Sequence, residues 1–172
     1  RDSHYSYDRF RQLVASHVDA AGLTARITHT PGHTMQVDWA GTKMRLFDPY
    51  GAPGVKVSVF VASMPYSGMI FALACPDERQ HSWLDAHHHA FAYFGGVPEV
   101  VVPDNASTAS NAISAADRNR KVNDTYEQFL EHYNTAALPT RAKRPKDKAN
   151  VEAAVKIVTH KVIHALDGHQ CV

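Results

Sequence analysis

Three carboxylates stand where a strand-borne active site would want them. They are Asp38 in Met35-Gln36-Val37-Asp38-Trp39, Asp104 in Val102-Pro103-Asp104-Asn105, and Glu152 in Lys146-Asp147-Lys148-Ala149-Asn150-Val151-Glu152. Magnesium takes hard oxygen ligands and few protein groups, which leaves room for water and phosphate. In phosphoryl transfer, two such ions roughly 3.5–4 Å apart clamp the attacking and leaving oxygens. Acids gathered in one site repel one another and take up protons unless a cation compensates. Convergence of the three would therefore argue for metal, but sequence spacing leaves convergence open. Taken singly, an Asp after a strand reads as a turn or cap residue, and a Glu early in a helix as a solvated charge that suits the helix dipole. Asp38 resists such a reading, because an acid in the middle of a core strand costs energy unless it has a partner.

The elements that must position these acids follow from the apolar pattern. Residues 5–21 read as a helix with Gly22 as its stop. From Thr34 to Ala40, Met35, Val37 and Trp39 alternate with Gln36 and Asp38, as in a strand with two different faces. A turn at Ala40-Gly41 is expected to lead into a second strand over Lys43–Phe47. Alternation then predicts strands over residues 55–62 and 69–74, with short connections that make them antiparallel neighbours. Asp77 and Gln80 form a plausible N-cap and capping box for a helix carrying Trp83, Ala86, Ala90, Phe91 and Phe94, which ends at Gly95-Gly96. Residues 99–102 read as a short strand whose run Val100-Val101-Val102 is continuously apolar, the signature of a strand buried on both faces. Asp104 thus falls just past the carboxyl end of a buried strand, where α/β sheets place ligand sites.

Residues 105–123 are polar and irregular, a long loop or a weak helix. Tyr126, Phe129, Leu130 and Tyr133 mark the next helix. Thr135 to Thr140 reads as an edge strand, since Pro139 bars it from a central one. The last helix runs from about Asp147 to Leu166, with Val151, Ala154, Val155, Val158, Val162 and Leu166 as its core stripe. Lys148, Glu152, Lys156 and His160 form a second stripe at steps of four. The order implies an α/β domain with a mixed sheet.

Bulk properties bound the rest. The chain has 172 residues and is 44% hydrophobic, with a net charge of +1, so any nucleic-acid binding must come from local patches. Its two cysteines, Cys75 and Cys171, form no CxxC pair, which argues against a disulfide framework or zinc ribbon and fits a reducing cytosol. No apolar run approaches the length of a membrane span, and no signal peptide opens the chain. A start without Met, on a polar stretch, is what a fragment of a longer protein would show.

With this order in view, Gln36-Val37-Asp38-Trp39, Val102-Pro103-Asp104-Asn105 and Lys146-Asp147-Lys148-Ala149-Asn150-Val151-Glu152 resemble the three signature blocks of the retroviral-integrase catalytic core and its DDE transposase relatives. The resemblance covers roughly residues 31–166. The long gap before Glu152 and the wording around it look most like transposases of the insertion-sequence-21 group, the IstA type. Asn150 and Ala106 depart from a pattern that often has glycine there, which alters backbone freedom and not ligand identity. The resemblance implies an RNase H-like fold with a mixed five-stranded sheet flanked by helices. It also implies Asp38, Asp104 and Glu152 as ligands of two Mg²⁺ (or Mn²⁺) ions that cleave transposon ends and transfer the 3′-OH to target DNA. An ATPase helper, a homo-oligomeric active complex and a bacterial cytoplasmic setting are implied with it. On this reading residues 1–30 are a helix and linker from a preceding domain, and 31–172 are the catalytic core. Two alternatives stand beside it: an RNase H-like nuclease that cuts without joining, and a DNA-binding or assembly domain that keeps the acids unused.

Between Arg141 and Lys161 there are seven Lys or Arg and two acids, a local excess of five around Glu152. Lys143, Arg144, Lys146, Lys148 and Lys156 are candidate phosphate contacts, with Arg118, Arg120 and Lys121 as a second group; such binding weakens with salt. A solvated helix face is the plain alternative. His87-His88-His89 with His81 and Asp85 invites a zinc reading, but neighbours on a helix point about 100° apart and cannot converge. Ser107 and Thr108 lack a nucleophile elbow, and Cys75 reads as a small buried hydrophobe.

Overall fold

A computed structural model describes residues 28–46, 54–103, 110–111, 121–122, 124–138 and 149–167. The expected helix over 5–21 lies outside them.

Strand β1 (Thr34–Leu46) is the axis of the domain. It pairs antiparallel with β2 (Val55–Met64), which pairs antiparallel with β3 (Met69–Cys75). Helix α1 (Gln80–Phe94) crosses to β4 (Val100–Pro103), which lies parallel to β1 on its other side. After the short pair β5 (Ser110–Asn111) and β6 (Lys121–Val122) comes helix α2 (Asp124–His132). Edge strand β7 (Ala136–Ala137) follows, parallel to β4. Helix α3 (Ala149–Val158) closes the fold, prolonged by a π-helical turn (Thr159–Ile163) and a last α turn (His164–Leu166). The sheet is five-stranded and mixed, ordered β3-β2-β1-β4-β7.

The alternation in β1 divides the core between the two faces of this sheet. Met35, Val37 and Trp39 join Phe60, Ala62, Trp83, Phe91, Tyr126 and Leu130 under α1 and α2. Ala40 joins Val59, Val61, Ala154, Val158 and Ile163 under α3. The first cluster is strongly aromatic. Trp83 lies 5.7 Å from Trp39, 5.3 Å from Phe60 and 6.0 Å from Tyr126 between ring centroids. Edge-on and tilted aromatic contacts at these separations add to the stabilisation from buried area.

Three local expectations are corrected. Residues 34–40 and 43–47 are not two strands joined by a turn. Ala40 pairs with Val59 and Met44 with Val57, so Gly41, Thr42 and Lys43 stand opposite one β2 residue as a bulge inside a single strand. Asp77 is not the N-cap of α1. That position is Arg79, and Asp77 instead accepts bonds from the Arg79 N–H at 2.9 Å and the Ser82 hydroxyl at 2.8 Å. The core stripe of the last helix also breaks after Val158. The π turn inserts a wider step, so Ile163 is buried while Val162 and Leu166 are 36% and 43% exposed. The predicted helix end at Gly95 stands: it takes φ +76°, and the Gly95 and Gly96 N–H groups bond back to Ala92 and Phe91.

His87 is fully buried in the aromatic cluster. Its Nδ1–H donates to the Trp83 carbonyl at 2.8 Å, which leaves Nε2 to accept from the Tyr126 hydroxyl at 3.0 Å. Burial pushes its pKa from 6.5 down to about 4, against the Trp83 bond, which favours the charged form. Between those values the unfolded chain holds the extra proton. The contribution to stability is therefore complete above pH 6.5 and is lost as pH falls toward 4, on the order of 3 kcal/mol in all. Urea titrations at pH 7.5 and 4.5 are expected to show this loss, and His87→Gln to flatten it; an equal pH slope in both proteins would contradict it.

Candidate active site

The face of the sheet that bears Asp38 is the one covered by α3. Gln36 and Asp38 both point to it, since Met35 and Val37 occupy the other face. Asp38 is half-buried opposite Val61 on β2, and its Oδ1 accepts the Trp39 N–H at 2.8 Å. Gln36 is 5% exposed. Its Oε1 accepts the Val151 N–H at 3.0 Å in a buried hydrogen bond. Val151 is the third residue of α3, so its N–H is one of those a helix start leaves without an intrahelical partner. The bond ties the first turn of α3 to the central strand two residues from Asp38. Glu152, next to Val151, is exposed. Buried Val151, Ala154 and Val158 seat the helix on the sheet below it.

Strand β4, which leads into the block around Asp104, lies beside β1. It runs parallel to β1 with Val102 opposite Gln36 and Pro103 opposite Val37. The strand ends at Pro103, and Asp104, the next residue in sequence, lies outside the described residues.

A family model described as "Integrase core domain" matches residues 28–145 of this sequence. The chain belongs to the integrase core domain family. Among curated proteins, the chain is 36% identical over 154 residues to "Putative transposase y4uI" of Sinorhizobium fredii, covering 90% of this chain and 30% of that protein. It is 35% identical over 155 residues to "Putative transposase for insertion sequence IS1162" of Pseudomonas fluorescens, covering 90% of this chain and 27% of that protein. The chain thus spans less than a third of the length of these curated relatives. Among solved structures, the catalytic core of BIV integrase superposes with a TM-score of 0.54 at 15% identity, covering 82% of this chain and 75% of that one. The HTLV-2 integrase catalytic core in complex with magnesium gives 0.55 at 17% identity, covering 79% and 73%. These likenesses establish an RNase H-like fold, with the mixed five-stranded sheet expected from the sequence.

Within this integrase core, Asp38, Glu152 and Lys156 are the candidate site residues whose side chains are described. Lys156 is exposed one turn beyond Glu152. Lys121 lies in β6. Arg118, Arg120, Lys143, Arg144, Lys146 and Lys148 lie, like Asp104, outside the described residues. Among the described residues no three His, Cys, Asp or Glu side chains form a metal-binding group. The histidine run splits as helical geometry requires: His87 is buried, His88 bonds the Tyr133 hydroxyl at 2.8 Å, and His89 stands 3.6 Å from Asp85. Burial and the charges of Asp85 and Asp77 push the Cys75 thiol up to about 11, so it stays protonated near neutrality and is no nucleophile there. Among the described residues no helix is long and apolar enough to cross a membrane. The sequence reading missed Gln36, although its place in the alternation put it on the face of Asp38.

Proposed function

We propose that this chain is the catalytic core of a transposase that cleaves transposon ends and joins the freed 3′-OH to target DNA. Asp38, Asp104 and Glu152 would hold two Mg²⁺ or Mn²⁺ ions. The observation that carries this reading is the buried bond from Gln36 to Val151, which brings the start of the Glu152 helix onto the strand face that bears Asp38. Family membership and the names of the relatives support it.

Carboxylate oxygens without thiolate or imidazole suit a hard cation. When bound, such ions would activate the attacking water or hydroxyl and stabilise the leaving 3′ oxygen. The chain supplies the frame. Asp38 sits within β1, paired with Val61 of β2 and one residue past the Val37–Pro103 pairing with β4, so the sheet holds its backbone. Asp104 follows directly on a paired strand end. Glu152 rides on a helix whose register is fixed by the Gln36 bond and by apolar contacts. Lys156 offers positive charge one turn from Glu152, and Lys143, Arg144, Lys146 and Lys148 precede the helix in sequence. Together with Arg118, Arg120 and Lys121, they would draw the DNA backbone toward the acids.

The finer assignments rest on the motif wording: an insertion-sequence-21 type element, an ATPase helper, a homo-oligomeric complex, action in the bacterial cytoplasm, and a domain division near residue 30. The test is an assay of the full-length protein with labelled transposon ends, target DNA and Mg²⁺ or Mn²⁺. Cleavage and joining by wild type, lost in Glu152→Gln, is expected. Undiminished products from Glu152→Gln would overturn the proposed site, and nicks without joined product would assign a nuclease.

A further inference from the structure

We infer that Gln36 is a positioning residue for the active site: its buried carboxamide holds Glu152 in place for metal binding through the backbone of Val151. This rests on the reading of Glu152 as a metal ligand. The Oε1–N distance is 3.0 Å, and the bond joins residues 115 apart in sequence. Because the donor is a backbone N–H, the atom facing it must be the carboxamide oxygen.

The geometry makes this bond more than a helix cap. Among the described residues the buried packing of α3 on the sheet is apolar, with Ala154 and Val158 against Ala40, Val59 and Val61, while Asn150 makes an exposed contact with His29 at 3.4 Å. Apolar contacts are non-directional and tolerate small slides of a helix along a sheet. A hydrogen bond sets distance and direction. This one acts at the helix end that carries Glu152, and it originates two residues from Asp38 on the same strand face. It therefore couples the spacing of two carboxylates from different elements. Partners that orient metal ligands from behind typically change metal affinity by roughly 10–100-fold when lost. The bond uses the Val151 backbone and not the Glu152 side chain, which is exposed.

The test compares Gln36→Met, which keeps length and volume but accepts only weakly, with Gln36→Asn, which keeps the carboxamide but cannot reach Val151. Both are made in the full-length protein. Mn²⁺ binding to the DNA-free protein is followed by electron paramagnetic resonance of the free ion, and Mn²⁺ dependence by end cleavage. Gln36→Met is expected to weaken Mn²⁺ binding and raise the half-saturating Mn²⁺ about 10-fold, with cleavage largely recovered at saturating metal. Gln36→Asn, whose carboxamide falls one methylene short, carries the same expectation as Met and serves if Gln36→Met does not fold. Wild-type Mn²⁺ binding in Met or Asn variants that only melt earlier would overturn the inference, leaving the bond a structural one. Glu152→Gln is run alongside: wild-type Mn²⁺ binding there would show instead that the underlying assignment of Glu152 is at fault.

Discussion

Asp38→Asn in the full-length protein is expected to abolish metal-dependent end cleavage while leaving the fold intact. Asparagine keeps the shape and the oxygen that accepts the Trp39 N–H. What it removes is the negative charge, and with it a hard anionic ligand. Loss of an outer partner costs about 10–100-fold; loss of a direct ligand on the central strand should exceed that, to about 10³-fold or more on the scale of removed transition-state stabilisers. The same substitution has a second consequence with the opposite sign. In metal-free protein it relieves repulsion among carboxylates, so melting should be unchanged or slightly higher. Added Mn²⁺ should raise the melting temperature of wild type by linkage and do so far less for the variant. Calorimetric melting with and without millimolar Mn²⁺, beside the cleavage assay, checks both. Equal metal-induced shifts in the two proteins would remove Asp38 from the site.

Trp83→Ala is expected to have the largest effect on stability. Trp83 is fully buried on α1 and touches rings from three other elements: Trp39 on β1, Phe60 on β2 and Tyr126 on α2. Truncation removes the shared contact surface of both helices with the sheet and leaves a cavity that rigid strands cannot close. The cost should be about 3–5 kcal/mol, a large part of the roughly 5–15 kcal/mol that holds an ordinary domain together. Tyr66→Ala, at a position 59% exposed, should stay within about 0.5 kcal/mol. Urea midpoints of the two variants compare these directly. A Trp83→Ala loss below about 1 kcal/mol would mean that the aromatic cluster is not the keystone of this face.

What the sequence made legible was set by periodicity and by motif order. Alternation over 34–40 separated Met35 and Val37 from Asp38 correctly, because a central strand covered by helices on both sides must keep two distinct faces. The apolar run at 100–102 announced a parallel strand inside the sheet for the same reason. Periodicity failed where backbone geometry departs from the ideal repeat. The bulge at Gly41–Lys43 looked like a turn, and the π turn at Thr159–Ile163 moved the core position from Val162 to Ile163. Neither departure has a residue-type signal strong enough to read in advance. His87 was submerged in a run of three histidines, although its place one turn from Trp83 and Phe91 puts it on their apolar face. For the site, residue types nominated the acids, but a bond such as Gln36 to Val151 links positions too distant for any local pattern to pair.

The most direct test of the metal site is anomalous diffraction from crystals soaked in MnCl₂. Ions should appear roughly 2.0–2.2 Å from carboxylate oxygens of Asp38 and Asp104, with Glu152 completing the second, as hard-cation coordination requires. Manganese bound elsewhere, or carboxyl groups of the three acids too far apart to share ions under saturating metal, would contradict the proposed active site.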